Sequence, residues 1–202
     1  MRRACRSFAA PTDVCEWPGR ERARSLRQWP TLEGVARRAA QLDALDGLIA
    51  IGSFARGDAD ELSDIDLLAV VAPGRFDEAW AERRRLASDP LLMWEPRSRP
   101  AKGIRWFTWL TREVIKIECG IVDPFAGERD LAEPFVVLVG DDSLADRFPR
   151  ISPSELAERR RQRQLEQEPP ADDAELAYGE LIDWKLYELK KAVRRGLNKR
   201  AV

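Results

Sequence analysis

The residues able to do chemistry in this chain are concentrated between Gly52 and Asp66. Gly52-Ser53-Phe54-Ala55-Arg56-Gly57 follows the apolar run Leu48-Ile49-Ala50-Ile51, and Ser63-Asp64-Ile65-Asp66-Leu67 opens a second apolar run that ends at Val71. A Gly-Ser turn after a buried strand presents backbone N–H groups and a hydroxyl to an anion. Glycine lets the backbone come close to that anion. Asp64 and Asp66 are separated by one residue, so on a strand both carboxylates face one way and Ile65 faces the other. Two carboxylates held so close repel each other, and a cation relieves that cost. Beside a phosphate cradle they suit divalent cations carrying a nucleoside triphosphate. Taken singly, a Gly-Ser pair or a Ser-Asp pair is an ordinary turn or cap; the joint occurrence beside two apolar strands carries the reading.

The composition removes several other chemistries. The chain has 202 residues and no histidine, which excludes His-based triads, His-ligated zinc and His general bases. Its three cysteines, Cys5, Cys15 and Cys119, form no CxxC pair and no disulfide framework. A metal must then be held by carboxylates, which favours hard ions such as magnesium or manganese. The 34 basic and 35 acidic residues leave a net charge of -1, so no global field draws in polyanions. Processive work on nucleic acid is not expected of so short and neutral a chain. No apolar run reaches the roughly 20 residues that a membrane span needs, and no long apolar stretch follows Arg2, Arg3 and Arg6, so the expected location is cytoplasmic.

Several elements must position these residues. Residues 1–28 read as an irregular leader, and Trp17 and Trp29 stand alone as apolar anchors. A helix capped by Thr31 carries Leu32, Val35, Ala36, Ala39, Leu42 and Leu45 on one face. Strands are expected over Leu48–Ile51 and Asp64–Val71, the second ended by Pro73-Gly74, and a helix over Phe76–Leu86. Leu91–Trp94 is a further strand. Ile104–Leu110 and Glu113–Cys119 are expected to pair through a tight turn at Thr111-Arg112, and Phe135–Val139 is another strand, stopped by Gly140. Trp106 and Trp109, three apart, cannot share a strand face. A helix from Pro153 to about Glu168 follows the Ser152 cap, and a last one runs from about Asp172 to Arg195.

The pattern Gly52-Ser53 with Arg56-Gly57, then Ser63-Asp64-Ile65-Asp66-Leu67, resembles the signature of the polymerase-beta-type nucleotidyltransferase superfamily. It is most similar to the small bacterial members, including the aminoglycoside nucleotidyltransferase-like proteins. The resemblance covers Leu32 to Val139 in general organisation and implies the α+β class, a mixed β-sheet flanked by helices; the pattern of elements sets this domain at residues 29–150, with a C-terminal helical extension over 151–202. It implies magnesium or manganese as cofactor and transfer of a nucleoside monophosphate from a nucleoside triphosphate, ATP being the expected one, to a hydroxyl with release of pyrophosphate. Gly52 and Ser53 would hold the outer phosphates, and Asp64 and Asp66 the metals. The family also expects a third carboxylate on a later strand. Glu118, in Val114-Ile115-Lys116-Ile117-Glu118, is the best match, as metal ligand or as base, and Asp123 competes with it.

The remaining candidates are weaker on their residues alone. Arg56 either reaches phosphate or braces its own loop. Lys116 shares the expected face of Glu118 and either contacts triphosphate, tunes that acid, or is a plain lysine. Arg97, Arg99, Lys102 and Arg105 are read first as a solvated basic loop. Cys119 reads as a buried strand cysteine. The acceptor is a hydroxyl-bearing small molecule, protein or RNA, and the stripe on the last helix either packs within the monomer or forms a homodimer face. The alternative to an enzyme is a non-catalytic nucleotide-binding or antitoxin-like protein of the same fold, favoured if Glu118 lies far from Asp64 and Asp66.

Overall fold

A computed structural model describes residue 17, residues 19–95, 103–126, 130–132 and 134–152, and six further residues between 154 and 162. The chain divides into two compact units, Met1–Pro153 and Ser154–Val202. In the second, the described residues 154, 155, 157, 158, 161 and 162 are helical, within the helix expected from 153 to 168. The last expected helix, and the basic residues Arg97, Arg99 and Lys102, lie outside the described residues.

The first unit is a mixed sheet with helices on it, as the α+β reading requires. Its helices are α1 (Arg20–Ser25), α2 (Trp29–Ala39), α3 (Gly52–Arg56), α4 (Phe76–Glu82) and α5 (Arg84–Ala87). Its strands are β1 (Leu45–Ile51), β2 (Ile65–Val71), β3 (Leu92–Trp94), β4 (Ile104–Leu110), β5 (Lys116–Val122), β6 (Leu131–Ala132), β7 (Val136–Val139) and β8 (Arg150–Ile151), with a 3₁₀ segment over Asp142–Arg147. Six strands form one sheet in the order β3-β4-β5-β2-β1-β7, and β6 pairs with β8 separately. Within the large sheet β2 and β5 are parallel and the other neighbours are antiparallel.

Strand alternation gives the sheet two different faces. Ile65, Leu67, Ala69 and Val71 of β2 point into the larger core, where they meet Ile117, Cys119 and Ile121 of β5, Phe107 and Trp109 of β4, and Leu32, Val35 and Ala36 of α2. Leu68 and Val70 point the other way, into a smaller cluster with Ile49, Ile104, Val122 and, from the chain after β5, Leu131, Leu144 and Phe148. Trp109 belongs to the first face and Trp106 packs against the second, as their spacing requires.

Several boundaries differ from the pattern in the sequence, each for a local reason. Residues 20–25 are helical (α1) where an irregular stretch was expected, and Trp17 and Trp29 do not stand alone: their rings lie 5.5 Å apart. Helix α2 starts at Trp29 rather than at a Thr31 cap, because Pro30 fits a first helical turn and Gln28 takes the cap position. Leu45 opens β1 rather than closing a helix. Gly47 sits inside that strand at a register shift, where an added Cβ would lie 2.2 Å from the carbonyl oxygen of Val139. The helix expected over Phe76–Leu86 is two helices. Arg83 breaks it by folding its guanidinium back over the Trp80 ring (4.3 Å) and donating from Nη1 to the Trp80 carbonyl at 2.8 Å, an acceptor that a continuing helix would use. The β4–β5 turn is wider than a Thr111-Arg112 hairpin and closes from Thr111 to Ile115, so β5 begins at Lys116.

Cys119 is fully buried in the larger core, and desolvation pushes its thiol up to about 12 from 9.0. Thiolate is the reactive form, so Cys119 should stay unmodified by iodoacetamide at pH 8 when its peptide is followed by mass spectrometry, and should label only after denaturation. The raised value also means that this group's contribution to stability is complete below pH 9 and falls as pH rises toward 12, because only the unfolded chain then releases the proton.

Candidate functional site

The ends of three strands converge on the predicted residues. Strand β1 runs into Gly52 and α3, while β2 and β5 both begin at the same end of the sheet because they are parallel. Asp66 lies between Ile51 of β1 and Glu118 of β5, its partners in register on either side. The row continues through Thr108 of β4 to Trp94 of β3. Partners in register point to one face, so Asp66 and Glu118 rise from neighbouring strands on the face opposite the larger core. Asp64 stands one residue ahead of β2. Ile65, between the two aspartates, is fully buried in the larger core.

Lys116 joins the remaining acid to this group. Its Nζ lies 3.3 Å from Asp64 Oδ2 and is also in contact with Glu118 Oε1. The lysine is 5% exposed. Burial alone would lower its pKa, but Glu118 and then Asp64 outweigh that and raise it above the ordinary lysine value, so the ammonium stays charged. A buried cation thus binds two of the three acids together, on the face where Lys116 and Glu118 were expected to lie.

Gly52 brings the backbone against the third. It has φ +71°, and a Cβ built on it would fall 2.2 Å from Asp66 Oδ2 and 3.1 Å from Asp66 Cγ. The carboxylate therefore occupies the space that any side chain at residue 52 would take. Ser53 follows in the first turn of α3, and Gly57, also at positive φ, ends that helix. Arg56 is half-exposed, and its Nε donates to Asp58 Oδ2 at 3.2 Å. Arg105 lies with its guanidinium 5.1 Å from the Trp80 ring centre. Asp123 follows the far end of β5 and accepts from the Phe125 N–H at 2.9 Å, closing a turn there.

The sequence reading missed what holds the loop into Asp64. Asp60 Oδ1 accepts from the Leu62 N–H and the Ser63 hydroxyl, each at 2.9 Å, and the Ser63 Oγ accepts from the Asp60 N–H at 2.9 Å. Gln28, fully buried, donates from Nε2 to the carbonyls of Asp60 (2.9 Å) and Ser63 (3.0 Å). Asp-x-x-Ser is a recognisable local turn pattern; nothing local marks Gln28.

Residues 32–122 match the profile of a family described as nucleotidyltransferase domain. This stretch is a nucleotidyltransferase-superfamily domain. It runs from within α2 to the end of β5, and includes Gly52, Asp64, Asp66, Lys116 and Glu118. No curated protein matches the chain in sequence.

The fit of a metal to such a domain can be judged from the donors. Asp64 and Asp66 carry hard oxygens, and Asp66 lies where a side chain at residue 52 would clash with it. Among the described residues no group of three or more His, Cys, Asp or Glu gathers closely enough to hold an ion. Two carboxylates are sufficient for a magnesium-like ion that takes its remaining oxygens from water and substrate phosphates.

Gly52→Ala should disrupt this site. A non-glycine residue in left-handed conformation costs about 1–2 kcal/mol, and the new methyl must displace the Asp66 carboxylate. The expected outcome is a melting temperature several degrees lower by circular dichroism, with binding of a magnesium–triphosphate probe lost in the protein that remains folded.

Proposed function

We propose that this protein transfers a nucleoside monophosphate from a nucleoside triphosphate to a hydroxyl acceptor and releases pyrophosphate. The observation that carries the reading is the register of Asp66 with Glu118, with Gly52 packed on the Asp66 carboxylate. In this reading Asp64 and Asp66 hold magnesium or manganese. When bound, that ion neutralises phosphate charge and lowers the pKa of an attacking hydroxyl. The Gly52-Ser53 turn binds the outer phosphates and keeps the α-phosphorus beside the acids. Glu118 takes the proton from the acceptor hydroxyl as its oxygen attacks the α-phosphorus, and the bond from that phosphorus to the pyrophosphate oxygen breaks. Lys116 keeps Glu118 and Asp64 in place while the charge moves. No covalent enzyme intermediate is required.

The acceptor is a small molecule, a protein or RNA. The likeness of the motif to the aminoglycoside nucleotidyltransferase-like branch supports a small hydroxyl-bearing molecule first. Nothing about the acceptor follows from the membrane side: no helix among the described residues is long and apolar enough to cross a bilayer.

One observation favours a second reading. The Lys116 ammonium already pairs with Asp64 and Glu118, as an internal cation would in a protein that binds nucleotide without transferring it. The two readings separate on turnover. Asp66→Asn should reduce pyrophosphate release from magnesium and ATP, with a panel of antibiotics, RNA and proteins as acceptors, by at least about a thousandfold, in line with loss of transition-state charge stabilisation. Its melting temperature should stay near the wild-type value. Wild-type turnover in Asp66→Asn rejects the assignment, and absence of turnover in the wild type with every acceptor favours the binding protein. Glu118→Gln should lower the rate and shift its manganese dependence; an unchanged rate and an unchanged titration would remove Glu118 from the centre.

A further inference from the structure

The family match begins at residue 32, yet the segment just before it reaches both loops that lead into the site. The parallel ladder between β2 and β5 starts at Ile65 and Ile117. Asp64 and Lys116, whose charges meet at 3.3 Å, therefore stand just ahead of that ladder; Lys116 opens β5 opposite Leu110 of β4, and a loop enters each of the two residues. One loop ends at Asp64, and the other is the 111–115 turn that ends at Lys116.

Arg27 touches both. Its Nε donates to the Glu61 carbonyl at 3.0 Å, Nη1 to the Glu113 carbonyl at 3.1 Å, and Nη2 to the Val114 carbonyl at 3.5 Å. The Glu61 carboxylate also lies 4.0 Å from Nε. A guanidinium is suited to this because its donors diverge from one rigid plane. The second loop needs such support. Val114 is a β-branched residue at φ +59° and is substantially exposed; that backbone state is unfavourable and persists only where its surroundings over-determine it. Next to Arg27, Gln28 fixes the first loop through the Asp60 and Ser63 carbonyls. Trp17 adds a third tie, donating from Nε1 to the Phe54 carbonyl of α3 at 2.8 Å.

We propose that Arg27 is a positioning residue: its guanidinium staples the loop entering Asp64 to the turn entering Lys116, and so holds the contact between Asp64 and Lys116 at the head of the two strands. The staple itself concerns loop order, and only its consequence for manganese–ATP affinity rests on the nucleotidyl-transfer reading. Arg27 is half-exposed, so its replacement should leave the core intact.

The test is amide hydrogen exchange of the full chain, wild type against Arg27→Gln. Amides of residues 60–64 and 112–116 should exchange about tenfold faster in the variant, the effect of losing roughly one hydrogen bond's worth of local protection. Amides of β1 and β7 should be unchanged. Arg27→Lys, which keeps the charge but not the fork, should restore protection in part. As a second readout, affinity for manganese with ATP as probe should fall in Arg27→Gln at an unchanged melting temperature. Faster exchange in one loop only, or in neither, overturns the proposal. So does uniform acceleration over the whole sheet in both variants, which marks a general role in stability. Exchange is measurable whether or not the protein transfers anything, so failure of the staple and failure of the proposed activity are distinguishable.

Discussion

Two parallel strands, Ile65–Val71 and Lys116–Val122, are held in one register, and the candidate site depends on that pairing. Side chains alternate along a strand, so a slip of one residue in either partner would send its acids into the larger core. The register is secured from the apolar side. Ile65, Leu67 and Ala69 can be buried against Ile117, Cys119 and Ile121 only if Asp66 and Glu118 emerge together on the opposite face. The hydrophobic effect thereby sets the distance between two carboxylates that would otherwise separate.

Charge balance follows from the same geometry. Acids raised on one small patch destabilise each other, and Lys116 offsets this from within, since the alternation of β5 carries it to the face that holds Glu118. Its own desolvation is outweighed by its two partners. Asp66 is placed differently. It lies against the Gly52 backbone, where the chain turns from β1 into α3, and this adjacency is available because residue 52 has no side chain. One edge of the patch thus holds an ammonium, and the other lies against the turn at Gly52.

The acids were legible in the sequence because their cue is local. Asp64-Ile65-Asp66 states its own facing pattern, and Lys116-Ile117-Glu118 does the same. The burial of Cys119 was legible for the same reason, whereas the mixed sheet was expected from the family resemblance. What was missed depends on residues distant in sequence. The contact of Trp17 with Phe54 joins residues 37 positions apart, and Arg27 reaches Glu113 across 86; no window of sequence reveals either, so α1 read as irregular. The first strand was expected to begin at Leu48, whereas it begins at Leu45 and its Gly47 admits a neighbouring backbone. Arg83 interrupts a well-formed amphipathic pattern through its own side chain, which periodicity ignores.

The account stands most directly on whether Asp64 and Asp66 together take a cation that carries a triphosphate. Isothermal titration of manganese, in the presence and absence of a non-hydrolysable ATP analogue, measures this without any acceptor. The account predicts weak manganese binding alone, much tighter binding with the nucleotide, and loss of that enhancement in the doubly substituted Asp64→Asn, Asp66→Asn protein. Equal enhancement in the wild-type and doubly substituted proteins would contradict it.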